Sequence, residues 1–192
     1  MSGLRPLPKA IVVGASAGGV VAVRALLAGL PGNLPCAVLV VIHLPRDRPS
    51  LLADLMGSAT ALPVAEAEDK QPIVPGQVLL APPDYHLMVE DPGHVALSTD
   101  APQLYSMPSI DVLFESAAHA WRHELLAIVL TGASADGAQG AVVVRRAGGR
   151  VWVQDPDEAE MPVMPAAALA AAGADAVLTL KQMVQQLAEG CR

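Results

Sequence analysis

The sequence predicts a doubly wound α/β domain: a mostly parallel sheet with an antiparallel edge hairpin and helices on both faces. Three observations predict it. Short apolar runs, at residues 10–13, 37–42 and 125–130, alternate with stretches of helical periodicity. Those runs are continuously apolar, as in strands covered on both sides. Apolar residues make up 53% of the chain and aromatics only 3%, so the core must be built from Ala, Val, Leu and Ile. That filling suits a parallel sheet between helical layers.

The elements follow in order. Residues 10–13 form a strand that runs into Gly14-Ala-Ser-Ala-Gly-Gly19, and residues 20–30 supply a helix that stops at Pro31-Gly32. A second strand at 37–42 ends in His43-Leu-Pro45, completing a βαβ unit with parallel strands and a right-handed crossover. Residues 50–56 predict a short helix with Ser50 as its N-cap. Strands at 62–67 and 77–80 are punctuated by Pro and Gly, and Ala81-Pro-Pro-Asp84 is a loop. Segments 85–90 and 94–98 flank Asp91-Pro-Gly93 and predict the hairpin. Ile110, Leu113, Phe114, Ala117 and Ala118 repeat at helical spacing across 109–121. The run 125–130 ends in Thr131-Gly132-Ala-Ser-Ala-Asp136-Gly137, and the helix over 138–147 is closed by Gly148-Gly149. A strand at 150–154, an Ala-rich helix at 165–172, a short strand at 177–178 and a helix at 181–189 complete the pattern. No linker or repeat divides the 192 residues, a length that suits one domain.

Charge narrows the function. A net charge of -7 with no Lys/Arg cluster argues against nucleic acid as a partner. Cys36 sits in an apolar run and packs as a small hydrophobe, whereas Cys191 is expected at the surface, so no structural disulfide is predicted. The N-terminus lacks the apolar stretch of a signal peptide, and no run reaches the roughly 18 apolar residues of a membrane span. The prediction is a cytoplasmic protein that is not membrane-embedded.

Ligands of open α/β sheets sit outside the carboxyl ends of the strands. Ser16, His43 and Asp136 each follow a predicted strand. A hydroxyl nucleophile, an imidazole base and a carboxylate that orients it are the parts acyl transfer needs. Gly14-Ala-Ser16-Ala-Gly18 also matches G-x-S-x-G, a sharp strand-to-helix turn that exposes the serine. The Ala17 N–H, at a helix start, is the candidate oxyanion donor. The same turn could cradle a dinucleotide. That reading wants an acid about 20 residues on, at the end of the second strand, to hold the ribose. Ile42-His43-Leu44 stands there, and Asp47 lies in the following loop. His119 and His123, four apart, lack nearby ligands to complete a metal set. Tyr85 and His86 are candidates to approach the strand-end crevice.

Several ordered segments resemble the catalytic domain of the chemotaxis protein-glutamate methylesterases. They are Ile11-Val-Val-Gly-Ala-Ser-Ala-Gly-Gly19, Val41-Ile-His-Leu-Pro45, Leu80-Ala-Pro-Pro-Asp-Tyr-His-Leu87 and Pro108-Ser-Ile-Asp-Val-Leu-Phe114. Val129-Leu-Thr-Gly132 with Asp136-Gly137, Arg146-Ala-Gly-Gly149, Gln154-Asp-Pro156 and Met164-Pro165 extend the match over nearly the whole chain. The resemblance implies hydrolysis of glutamate γ-methyl esters on methyl-accepting chemoreceptors, with methanol released, and deamidation of particular receptor glutamines. It puts the nucleophile on Ser16, the base on His43 and the acid on Asp136, with no metal or organic cofactor.

The partners it implies are methylated chemoreceptor helices and a separate response regulator or histidine kinase. The alternative reading is a non-catalytic chemosensory module that keeps the fold. Family members usually carry a receiver domain ahead of the catalytic one. Here the first strand begins at residue 10, so the expectation is a single catalytic domain over 1–192 without a receiver domain. Two departures stand out: Thr131-Gly132-Ala133-Ser134 replaces the family's Thr-Gly-Met-Gly, and Met107 replaces an arginine before the Pro-Ser motif.

Overall fold

A computed structural model describes residues 7–44, 51–102 and 106–191. The strands are β1 (Ala10–Ala15), β2 (Ala37–Ile42), β3 (Val64–Glu66), β4 (Val78–Leu80), β5 (His86–Asp91), β6 (His94–Ser98), β7 (Leu125–Val129), β8 (Arg150–Gln154) and β9 (Ala176–Leu178). The helices are α1 (Gly19–Ala28), α2 (Leu52–Gly57), α3 (Ile110–Trp121), α4 (Ala138–Arg146), α5 (Val163–Ala172) and α6 (Leu180–Gly190). The expected N-cap Ser50, together with Pro45 and Asp47, lies outside the described residues.

The main sheet has the order β3-β4-β2-β1-β7-β8-β9, and every pairing in it is parallel. The chain leaves β1 toward β2 on one side and later resumes at β7 on the other. The carboxyl ends of β1, β2 and β7 therefore flank a topological switch, where such sheets bind ligands. The antiparallel pair β5–β6 forms a separate two-stranded sheet. Leu87, Val89 and Val95 bury its inner face in the core cluster that also holds Leu113, Phe114 and Ala117 of α3.

Strand alternation sorts the core into two layers. Ile11, Val13, Val38, Val40, Leu126 and Ile128 point to the layer of α1 and α6, with Val23, Leu27, Met183 and Leu187. Val12, Leu39, Val41, Ala127 and Val129 point to the layer of α3 and α4, with Ile110, Phe114 and Val144. The same alternation assigns Ser16 and His43, the next residues of that parity after Gly14 and Val41, to the α3 side.

Two glycines let the α3 side close up. A Cβ on Gly14 would collide with the Ile110 side chain, so the start of α3 rests directly on β1. A Cβ on Gly140 would lie 2.6 Å from Phe114 Cβ and 3.1 Å from the Asp111 Cα and carbonyl oxygen, so α4 packs backbone-close to α3.

Alanine gains roughly 1 kcal/mol of helix propensity over glycine. Here overpacking against fixed backbone outweighs it. Gly140→Ala is expected to destabilise the protein by about 1–3 kcal/mol, read as a lower urea midpoint with an unchanged slope.

Candidate active site

The strand register delivers Ser16 and His43 to one place. Ala15 pairs with Ile42, and the His43 N–H donates to the Ala15 carbonyl at 3.0 Å. Ser16 and His43 are thus the next residues on adjacent parallel strands, whose spacing is about 4.8 Å. On its other flank, Ser16 donates its N–H to the Thr131 carbonyl at 2.9 Å. The turn that bears the serine is tied to the ends of both neighbouring strands.

His43 and Asp136 touch. The imidazole Nε2 lies 2.8 Å from Asp136 Oδ2, with His43 14% exposed and Asp136 fully buried. An ionised carboxylate only accepts, so Nε2 carries the shared proton and Nδ1 presents the lone pair. Three further donors hold the carboxylate. Ser109 Oγ and the Asp111 N–H donate to Oδ1 at 2.9 and 3.0 Å, and the Ile110 N–H donates to Oδ2 at 2.7 Å. Ser109 occupies the N-cap position of α3 without capping it, and the Asp136 side chain caps the helix instead. Burial pushes the Asp136 pKa up, but the His43 imidazole and the Asp111 and Ile110 amides outweigh it and hold the carboxyl below its usual range.

Asp111 returns the arrangement. Its Oδ1 accepts the Gly137 and Gly140 N–H groups at 2.9 and 2.6 Å, capping α4 from the first turn of α3. Burial and the neighbouring Asp136 charge raise its pKa to about 6, against the pull of the two glycine amides.

The expected Ser16–His43 hydrogen bond is not formed among the described residues. The hydroxyl beside Nδ1 is that of Ser106, 3.5 Å away, at the outer limit of such a bond. The Ala17 N–H, just ahead of α1, is engaged by no bond among the described residues. Ser16, His43 and the Ala17 N–H share one rim, without a Ser16–His43 bond among the described residues. Catalytic hydrogen bonds often tighten only with substrate bound.

Sequence reasoning singled out His86 but passed over Thr131 as a supporting group. Thr131, buried, donates its Oγ1–H to the Ala17 carbonyl at 2.9 Å and accepts the Met161 N–H at 2.8 Å. Its own N–H goes to Gln154 Oε1 at 2.8 Å. It therefore fixes peptide units on both sides of Ser16, and its place directly after an apolar strand was the available signal. His86, buried, accepts the Ser109 N–H at Nδ1 (3.1 Å) and places Nε2 3.3 Å from the Ala101 carbonyl, whereas Tyr85 is exposed. Cys36 is buried, its thiol pushed up to about 12 chiefly by burial. Cys191 is half-buried rather than at the surface, because α6 folds its end onto the same core layer.

Comparison with known proteins places this geometry in context. Residues 11–187 match the family model described as CheB methylesterase. A putative protein-glutamate methylesterase/protein-glutamine glutaminase of Leptospira interrogans is 37% identical over 177 residues, covering 92% of each chain. The protein-glutamate methylesterase/protein-glutamine glutaminase 1 of Saccharophagus degradans is 40% identical over 186 residues, 96% of this chain but 51% of that one. The chain thus spans nearly all of the first relative and about half of the second. The crystal structure of the Thermotoga maritima CheB methylesterase catalytic domain superimposes with a TM-score of 0.90 at 31% identity, covering 95% of this chain and 98% of that one.

The facing carboxylates impose a signed pH dependence. A carboxyl whose folded pKa is raised binds its proton more tightly in the native state, so native stability falls as pH rises from its unfolded value toward its folded one. Asp111→Asn removes this cost while keeping an oxygen acceptor. Its Tm is expected to rise relative to the unmodified protein as pH increases from about 4 to 6, with no further divergence above that window. A Tm difference that does not change across the window contradicts it.

Proposed function

The chain belongs to the CheB methylesterase family, and on that premise we propose that it hydrolyses glutamate γ-methyl esters on methyl-accepting chemoreceptors through Ser16, His43 and Asp136. The observation that carries the reading is the His43–Asp136 bond of 2.8 Å at the strand end beside the one bearing Ser16. Relatives are named for both protein-glutamate methylesterase and protein-glutamine glutaminase action, and the second activity is the same attack on an amide in place of an ester.

The chemistry follows from which ring nitrogen is free. His43 Nδ1 takes the Ser16 hydroxyl proton as Oγ attacks the ester carbonyl, and the oxyanion forms toward the Ala17 N–H. Asp136, held ionised by α3, stabilises the imidazolium and fixes its tautomer. Nδ1–H then protonates the departing methoxide, giving methanol and a Ser16-bound glutamyl ester. Water, deprotonated by the same nitrogen, attacks that ester and releases the glutamate carboxylate and the serine hydroxyl. No step calls on a metal or organic cofactor.

A methyl ester gives the site little to grip, so selectivity comes from docking of receptor helices at the rim around Ser16. Among the described residues no helix is long and apolar enough to cross a membrane. Action on the cytoplasmic part of receptors, under control of a separate response regulator or histidine kinase, completes the proposal.

A second reading, a non-catalytic chemosensory module, draws on one observation: the hydroxyl beside Nδ1 belongs to Ser106 rather than Ser16. A serine-directed phosphonate separates the two, since a hydrolase is labelled at Ser16 and a binding module is not.

The direct test is methanol release from a methylated receptor cytoplasmic fragment. Ser16→Ala is expected to lower kcat by at least about 1,000-fold with the fold intact; an unchanged rate removes Ser16 from the reaction.

A further inference from the structure

We propose that Asp111 is a positioning residue for this reaction: by capping α4 from α3, it sets the Asp136 carboxylate against the His43 imidazole. The proposal rests on the esterase reading for its kinetic meaning and on geometry for its substance.

The bonds close a ring. Asp136 is followed by Gly137, whose N–H is bound by Asp111 Oδ1. The Asp111 main chain, in turn, donates its N–H back to Asp136 Oδ1. Each carboxylate thus caps the helix whose start supports the other. The Asp111 side chain fixes the backbone next to Asp136, and the Asp136 side chain fixes the backbone of Asp111.

The backbone around Asp136 is also held by a turn bond from the Ala138 N–H to the Ala135 carbonyl at 3.1 Å, but among the described residues the Gly137 N–H goes to Asp111. Gly137 stands at φ +95°, a left-handed conformation, and a Cβ there would come within 2.8 Å of Ile110 Cγ2. Chain at such a residue is cheap to bend. The Asp136 N–H itself makes a weak 3.4 Å bond to Ser134 Oγ. The glycine amides held by Asp111 therefore control the backbone just after the triad acid. A shift of about 1 Å in a catalytic group can cost 100-fold in rate.

Asp111 could act instead through its charge, which lies close to the His43–Asp136 pair. The two roles separate cleanly because both glycine amides bind the same oxygen, Oδ1. Asparagine keeps that oxygen and loses the charge. Glutamate keeps the charge and moves the oxygen by one methylene. Alanine loses both.

The test uses the full chain. It reads kcat and KM for methanol release from the methylated receptor fragment, Tm, and the downfield imidazole N–H proton of the His43–Asp136 bond in histidine-labelled protein by NMR. Asp111→Ala and Asp111→Glu are each expected to lower kcat by roughly 10- to 100-fold at unchanged KM and to lose the downfield resonance. Asp111→Asn recovers both.

Full activity and an intact resonance in Asp111→Ala overturn the proposal. So does a loss in Asp111→Asn equal to that in Asp111→Ala, which assigns the effect to charge. If Asp111→Ala does not fold, Asp111→Glu decides in its place by the same criteria. If the Ser16→Ala control hydrolyses the ester normally, the esterase reading has failed, and the resonance alone decides whether Asp111 positions Asp136.

Discussion

The structure turns on one buried carboxylate. Asp136 accepts from His43 Nε2, Ser109 Oγ and the Ile110 and Asp111 N–H groups. A buried charge is tolerable only when it is paired and hydrogen-bonded. Here a helix start supplies amides and a favourable dipole, and an imidazole supplies the last donor. The same bonds that make the charge affordable aim it at His43. Burial of the charge and its orientation toward His43 are therefore a single arrangement, and the proposed triad acid also serves as a structural cap.

That arrangement depends on closeness that only small residues allow. Gly14 admits Ile110 against β1, and Gly140 admits α4 against α3. Without the first, the α3 amides would stand away from the strand ends. Without the second, Asp111 could not reach the first turn of α4. The apolar layer under α3, with Phe114, Leu113 and Val12 buried in it, fixes how far the polar layer above can drift.

Much of this was legible in the sequence. Apolar runs located the central strands, with β2 matched at both ends, β7 one residue shorter than its run and β1 two residues longer, because strands buried on both faces leave little ambiguity of pattern. The edge was harder. Residues 62–67 looked like one strand, but only Val64–Glu66 pair, since β4 offers three partners and β3 is the end strand of the described sheet. Pro165 looked like the start of α5, yet the helix begins at Val163 and carries the proline in its first turn, where an N–H has no helical partner anyway. The rule that sites sit at strand ends singled out Ser16, His43 and Asp136, because strand ends can be read locally, and of these the structure joins His43 to Asp136. Asp111 was missed because an acid in the first turn of a helix is ordinary. Its importance lies in a contact with residues 26 and 29 positions away. The Ser106 hydroxyl beside His43 was invisible for the same reason: it is 63 residues distant and signalled by no pattern.

The way His43 binds Asp136 also constrains the sheet. With Nε2 committed to the acid, the free nitrogen is Nδ1, one bond from the ring carbon that joins the side chain. An imidazole used this way has a short arm. Its free nitrogen stays near its own main chain and meets only hydroxyls brought close to that strand end, as Ser106 is at 3.5 Å and as Ser16 on the adjoining strand is placed to be. A histidine that presents Nε2 outward could reach across a loop or from a separate layer. Here the choice of nitrogen ties reach to strand adjacency, so a rearrangement that inserted a strand between β1 and β2 would part Ser16 from His43 even with every residue retained.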